Sequence, residues 1–445
     1  MPIAEPSGPL ADLEIAALFE LLEQSSRIAL AVSGGGDSLA LLDCIDRWRR
    51  SRPNSPSIIV LTVDHGLRES SQGDAEFVAS LARERGLDTR ILQWTGIKPQ
   101  GDIESAARAA RYRLLLAAAG DYGASHLLLG HHRDDQAETL LLRLARGSGL
   151  FGLAAMRRTI ETGAVTLFRP FLDIARGRLA ETIAVAGLVA REDAMNSDPR
   201  FARARLRRIM PLLAADGIDP AGLAATARRL TQAAEAMDIV AARLIGRAVQ
   251  VDDMAVASFA PAEFFDGPRE IWLRSFLRIL LAIGGDQYPP RFERLAGLAD
   301  QMEGHDGSAR FKRTLAGCVV EWRGGHFVVY RETGRDGLPD VPIMSGFSEI
   351  WDHRFHVAVG GEVAGGLRLA ALGEDGRRAI GARPENAPLG ALAALPALWL
   401  EKTVLAVPAL GIFENDILAR SITHRSILAD RLAEPPRFPD FIGSN

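Results

Sequence analysis

Two short stretches carry the residues most able to do chemistry. Ser33-Gly34-Gly35-Gly36-Asp37-Ser38 sets three glycines between hydroxyls and an acid. Gly130-His131-His132-Arg133-Asp134-Asp135-Gln136-Ala137-Glu138-Thr139 sets paired histidines before three acids. In the first stretch, glycines remove the Cβ atoms that would hold a backbone away from a polyphosphate. A helix N-terminus beyond them would offer unpaired N–H groups and partial positive charge. Asp37 beside bound phosphates makes sense only if Mg²⁺ or a positive group shares the site. The plainer alternative is a tight turn whose Ser and Asp merely cap a helix. The sequence contains no G-x-x-x-x-G-K-[ST], so the lysine used for γ-phosphate transfer is missing. In the second stretch Asp134 and Glu138 are four apart and Asp135 and Glu138 three apart, so all three can crowd one region of a helix. Such negative charge suits a cation, either Mg²⁺ on a bound polyphosphate or an ammonium substrate. A metal site through His131, His132 and Asp135 is a further reading. Acids simply favouring a helix N-terminus account for Asp134 and Asp135, but not for the two histidines.

Both stretches need elements to position them. Residues 28–33, 57–63, 90–94 and 126–131 read as strands, and the first, second and fourth are apolar on both faces, as a covered parallel sheet requires. Between the first two, Leu41, Cys44, Ile45 and Trp48 have the spacing of a buried helical stripe. Leu141 and Leu144 are placed to pack a helix over 134–146. Gly147-Ser148-Gly149-Leu150-Phe151-Gly152 fits G-x-G-x-x-G but follows that helix instead of a strand, so the dinucleotide reading fails. The alternation predicts an α/β, doubly wound parallel-sheet domain with ligands at the carboxyl ends of its strands. A mainly helical domain follows, with helices over 221–250, 270–283 and 291–302 and a hairpin over 313–330 turning at Arg323-Gly324-Gly325. A Gly/Pro/Asp-rich stretch, 334–342, reads as a linker to a small mixed α+β C-terminal domain. The expected domains are 1–217, 218–335 and 336–445.

A chain of 445 residues can bury two or three cores, and its 47% hydrophobic and 24% charged content is that of a soluble globular protein. No apolar run is long enough to span a membrane, and the first twelve residues lack a signal-peptide pattern, so a cytoplasmic location is expected. Cys44 and Cys318 are too distant for a disulfide framework or a cysteine metal cluster. The net charge of −4 does not advertise a nucleic-acid binder. From Arg143 to Arg208, however, 13 arginines meet six acids. The use of arginine over lysine is general to the chain, but the local shortage of acids is not, which points to a polyanion-facing surface.

Ser-Gly-Gly-x-Asp-Ser after a first strand resembles the PP-loop of the N-type ATP pyrophosphatases, which cleave ATP between its α and β phosphates. The histidine–acid block is similar to the His-His-x-Asp-Asp-Gln-x-Glu-Thr signature of the tRNA(Ile)-lysidine synthetase family. Val63-Asp64-His65-Gly66-Leu67-Arg68, Glu104 to Tyr112, Arg146 to Leu153, Arg169-Pro170 and Asp193-Ala194-Met195-Asn196-Ser197-Asp198 agree in order. One departure is Arg203-Ala204-Arg205-Leu206-Arg207, where the family usually reads Arg-Asn before a further Arg. Ala204 cannot make the amide's hydrogen bonds.

The resemblance implies a tRNA-modifying enzyme using ATP and Mg²⁺. The wobble cytidine of a tRNA(Ile) with a CAU anticodon is adenylylated, and L-lysine then displaces AMP. It implies ATP contacts at Ser33, Gly34, Gly35, Gly36, Asp37, Ser38, Asp64 and His131, with Asp37 acting through Mg²⁺. Catalytic roles fall to Asp37, Arg108, Arg111 and His132, although helical caps account for Arg108 and Arg111 equally well. Lysine falls to Asp134, Asp135 and Glu138, and tRNA phosphates to Arg203, Arg205 and Arg207, for which a solvated helix face is the plain alternative. Members of the family can be homodimers. The nearest rival is a tRNA thiolation enzyme on the same core, which would need a reactive cysteine. An ammonia-dependent synthetase would not need the histidine–acid block. A catalytically idle tRNA-binding protein would have no use for Asp37 and the three acids.

Overall fold

The computed structural model describes residues 7–66, 71–96, 98, 103–191, 202–285, 289–334, 337–361, 365–381 and 387–433. Two compact units divide the chain, one carrying Met1–Ala234 and the other Glu235–Phe438.

In the first unit the apolar runs become β1 (Arg27–Ala31), β2 (Ser57–Asp64), β3 (Asp88–Gln93) and β4 (His126–Leu129), joined by two three-residue strands, β5 (Thr159–Glu161) and β6 (Thr166–Phe168). Their order is β3-β2-β1-β4-β6-β5. Every pairing is parallel except β5 with β6. The helices are α1 (Asp12–Leu18), α2 (Gly36–Arg50), α3 (Ser71–Glu84), α4 (Ile103–Tyr122), α5 (Arg133–Leu144), α6 (Leu150–Leu153), α7 (Arg176–Val185), α8 (Ala202–Ala215) and α9 (Pro220–Ala248), the last running on past Ala234.

Alternate residues of β1 feed opposite cores. Ile28 and Leu30 join the α2 stripe of Leu41, Cys44, Ile45 and Trp48, whereas Ala29 joins Tyr112, Leu115 and Ala119 of α4. The sheet is therefore covered on both faces, as a doubly wound α/β fold requires. Its order reverses between β1 and β4, so a crevice opens at their carboxyl ends. The glycine loop leaves β1 and the histidine pair leaves β4 at this point.

One packing expectation changes. Leu140, not Leu144, packs α5, and Leu144 is 57% exposed. The buried face of α5 is set by Asp135, Glu138, Thr139 and Arg143, which turns the helix away from the Leu141–Leu144 side.

The second unit holds two five-stranded sheets and one of three strands. The expected hairpin is present, with residues 318–323 antiparallel to 326–331, and it gains a third strand at 312–315. The larger apolar cluster of this unit joins residues from Ala241 to Leu432, and a smaller one gathers Val256, Val319, Tyr330 and Ala391. The Trp351 indole N–H donates to the Pro339 carbonyl within the stretch expected as a linker. Among the described residues no helix is long and apolar enough to cross a membrane.

Candidate active site

The glycine loop turns sharply because Gly34 takes φ +87°, a conformation that L side chains rarely adopt. A web of hydroxyls holds the turn. The Ser33 N–H donates to Ser38 Oγ at 3.2 Å, and Ser38 Oγ donates to the Gly35 carbonyl at 2.8 Å. Among the described residues no side chain caps α2, and its first turn lines the crevice with its peptide dipole uncapped. Gly130 lets β4 approach this turn. A Cβ there would lie 2.8 Å from the Asp37 carbonyl oxygen. The crevice has a volume of about 680 Å³ and is lined by Ser33, Gly35, Gly36, Asp37, Ser38 and Gly130, together with His131, Asp135 and Arg111. That size suits a nucleotide-scale ligand.

The two histidines enter opposite environments. His132 is fully buried, with Nε2 3.3 Å from Asp37 Oδ2 and 3.5 Å from Asp135 Oδ2. Nε2 makes no aligned hydrogen bond, whereas Nδ1 accepts from the Asp135 N–H at 3.3 Å. Burial works against a charged ring here, but Asp135, Asp37 and Asp134 outweigh it and raise its pKa. Burial likewise opposes ionisation of Asp37, yet His132, Arg176 and Arg207 hold its carboxyl below the usual range.

His131 sits among cations. Arg169 donates from Nε to His131 Nδ1 at 3.3 Å. Burial, followed by Arg169, Arg108, Arg111 and Arg203, pushes the ring well below its ordinary pKa, so it is neutral. Arg108 and Arg111 lie over the Tyr112 ring at 5.5 and 5.4 Å. Burial would raise the Tyr112 pKa, but Arg108, Arg169 and Arg111 pull it down to about 8. Arg108 falls to about 10 through burial beside Arg111, Arg203 and Arg169. Neither Arg108 nor Arg111 has a carboxylate partner among the described residues. A buried cluster of this sign calls for an anion.

The three acids expected to act together separate. Asp134 accepts the Arg176 N–H at 3.1 Å and so caps α7. Asp135 and Glu138 instead share Arg207. Arg207 Nε reaches Glu138 Oε1 at 2.6 Å, Nη2 reaches Glu138 Oε2 at 3.3 Å, and Nη2 lies 3.6 Å from Asp135 Oδ1. Burial raises the Glu138 pKa, and Arg207 offsets this only in part.

Arg207, expected at the tRNA, is therefore committed to the carboxylates, while Arg203 borders the His131 cluster. Arg205 is exposed on α8, and Ala204 is buried on the helix's packed side. Asp64 does not line the crevice. Its Oδ1 accepts from the Gly66 N–H at 2.8 Å and from Ser71 Oγ at 2.6 Å, shaping the turn that brings His65 to the crevice wall. The set His131, His132 and Asp135 does not come together, because His131 turns to Arg169 while His132 faces Asp37 and Asp135, and among the described residues no three or more His, Cys, Asp or Glu side chains are arranged to hold a metal ion.

Sequence reasoning gave no role to Arg169, Tyr112, Arg176 or Arg191. The local surplus of arginine over acid contained the signal for three of them, but not their convergence. Leu67, Arg68, Asp193, Asn196, Asp198 and the side chain of Glu104 lie outside the described residues.

A family model described as a PP-loop domain matches residues 11–213. The chain is 41% identical over 332 residues to a tRNA(Ile)-lysidine synthase of Rhodopseudomonas palustris, covering 73% of this chain and 96% of the relative. It is 40% identical over 343 residues to one of Bradyrhizobium diazoefficiens, covering 73% and 95%. Against one of Wolbachia pipientis it is 32% identical over 403 residues, covering 89% and 93%. A solved U34-tRNA thiolase of Methanococcus maripaludis covers 50% of this chain and 77% of its own at 16% identity, with a TM-score of 0.43, too slight a likeness to carry weight.

Proposed function

This chain belongs to the tRNA(Ile)-lysidine synthase family, and from that premise we propose that it is a ligase making lysidine in a tRNA(Ile) with a CAU anticodon. The cytidine C2 oxygen attacks the α-phosphorus of ATP, and the bond to pyrophosphate breaks. The ε-amine of L-lysine then bonds to C2, the C2–O bond breaks, AMP leaves, and the amine gives up a proton. One observation carries the reading: consecutive histidines beside the β1/β4 crevice turn into surroundings of opposite charge, arginines around His131 and carboxylates around His132.

Each pocket suits one half of the reaction. The glycine loop and the N-terminal turn of α2 would hold the β and γ phosphates. Asp37 lines the crevice with its carboxyl well ionised, which fits a Mg²⁺ shared with phosphate oxygens. When bound, that ion would neutralise phosphate charge. His132, with Nε2 3.3 Å from Asp37 Oδ2, would steady that carboxyl by its charge. On the other side Arg111 and His131 line the crevice with Arg108 and Arg169 behind them, and neutral His131 with its Nε2 proton would donate to the charge developing at the α-phosphate. Lysine's ammonium fits Asp135 and Glu138, where it would exchange with the Arg207 guanidinium. Arg205 and Arg208, exposed on α8, would meet tRNA phosphates. A wobble base can be splayed out of its loop to reach such a pocket. A reaction on tRNA is suited to the cytoplasm.

The thiolation rival is disfavoured by its missing nucleophile. Cys44 and Cys318 are both buried, and burial pushes the Cys44 thiol up to about 12. Incubation with ATP, labelled lysine and tRNA(Ile) bearing CAU tests the proposal. It should label the RNA with one pyrophosphate released per lysine incorporated, and folded protein that leaves the RNA unlabelled would overturn it.

A further inference from the structure

The phosphate end of the crevice is short of positive charge. Bound ATP brings a charge of about −4 at neutral pH, the loop adds Asp37, and an uncapped helix N-terminus returns only about half a unit. The sequence lacks the P-loop lysine. Arg207 is engaged by Glu138 and Asp135. Arg111 belongs to the His131 cluster.

Two further arginines line the crevice, Arg176 and Arg191. Neither has a carboxylate partner among the described residues, and each is seated by its own backbone. The Arg191 N–H donates to the Gly34 carbonyl at 2.9 Å, which ties this residue to the glycine loop. Its Cβ and Cγ lie 3.8 Å from where a Cβ on Gly34 would stand, and its guanidinium packs over the Phe77 ring at 4.8 Å. Arg176 opens α7, where its N–H is fixed by Asp134, and its charge reaches Asp37.

Resting on the reading of this crevice as an ATP site, we infer that Arg191 and Arg176 grip the pyrophosphate half of ATP and steady it as it leaves, in place of a P-loop lysine. Arg191 is the stronger of the two, because loop and guanidinium are coupled through Gly34. The α-phosphate and the base belong to the other pocket, so the two arginines distinguish pyrophosphate from AMP.

The test is direct binding of inorganic pyrophosphate and, separately, of AMP to the full chain by calorimetry, for the wild type, Arg191→Ala, Arg176→Ala and Arg191→Lys. Arg191→Ala should weaken pyrophosphate about tenfold, a loss suited to one charged hydrogen bond. Arg176→Ala should weaken it severalfold, and AMP should be unchanged in both. Arg191→Lys should recover part of the loss, which a folding defect would not permit. Pyrophosphate binding unchanged in both alanine variants would overturn the inference, as would equal loss for AMP. Alanine variants that weaken only tRNA binding would also overturn it and reassign the pair to RNA phosphates. Failure of the wild type to incorporate lysine would defeat the proposed function but leave this binding comparison readable.

Discussion

His131 and His132 are neighbours in sequence and occupy opposite electrical worlds. The backbone at His132 is extended, with φ −124° and ψ −179°, so side chains leaving β4 alternate between faces. His131 turns toward α4 and meets Arg108, Arg111, Arg169 and Arg203; His132 turns toward α2 and meets Asp37, Asp134 and Asp135. The difference teaches how one crevice can serve two chemistries. An anion is favoured on one side and a cation on the other, and the α-phosphate of ATP would lie between them. It also separates two kinds of incompleteness. The carboxylate side carries its own counter-ion in Arg207, whereas Arg108 and Arg111 on the arginine side have none among the described residues.

Each side can be broken separately. Asp37→Ala removes the carboxyl facing the phosphates and His132, and should lower pyrophosphate release at least about a hundredfold. A variant that kept release within threefold would dissociate Asp37 from the phosphate end. Arg108→Met removes one cation from a pocket already crowded with them. Lysidine formation should fall about tenfold, while the ligand-free protein becomes equally or slightly more stable, by up to about 1 kcal/mol, in urea unfolding. A clear loss of stability would show that the arginines are held by partners and need no anion.

The smallest effect is on pH dependence, and the two histidines should differ in sign. The His132 pKa is raised by folding, so its contribution is fully present below pH 6.5 and is lost as pH rises through the folded value. The His131 pKa is lowered, so its contribution is present above pH 6.5 and is lost as pH falls toward the folded value. Stability profiles of ligand-free His131→Asn and His132→Asn should therefore deviate from the wild type in opposite directions, by on the order of 1 kcal/mol. Parallel deviations would contradict the two-pocket picture.

Much of this was legible from residue patterns. Apolar runs located β1, β2 and β4, and the period of Leu41, Cys44, Ile45 and Trp48 located α2, because burial on one face leaves a repeat in the sequence. β5 and β6 escaped notice because three residues are too few to show a period. The glycine loop and the histidine pair were legible because both lie at strand ends on either side of one reversal. The sorting of charges was not. Asp134 and Asp135 are adjacent, yet one caps α7 and the other faces Arg207, and these partners lie about 40 and 70 residues away along the chain. Arg207 resembles its exposed neighbours Arg205 and Arg208 in sequence, and only the helical phase of α8 turns it inward. Long-range pairing of this kind leaves no local pattern.

The most direct test of the two-pocket account is to measure pyrophosphate release and lysine incorporation side by side in Glu138→Ala. Glu138 touches Arg207 and, unlike the glycine loop, is not among the residues that line the crevice. The account predicts that the lysine concentration for half-maximal incorporation rises about tenfold, while pyrophosphate release and its dependence on ATP stay within about twofold of the wild type. Equal loss of both would contradict it, because the amine and the phosphates would then share one pocket.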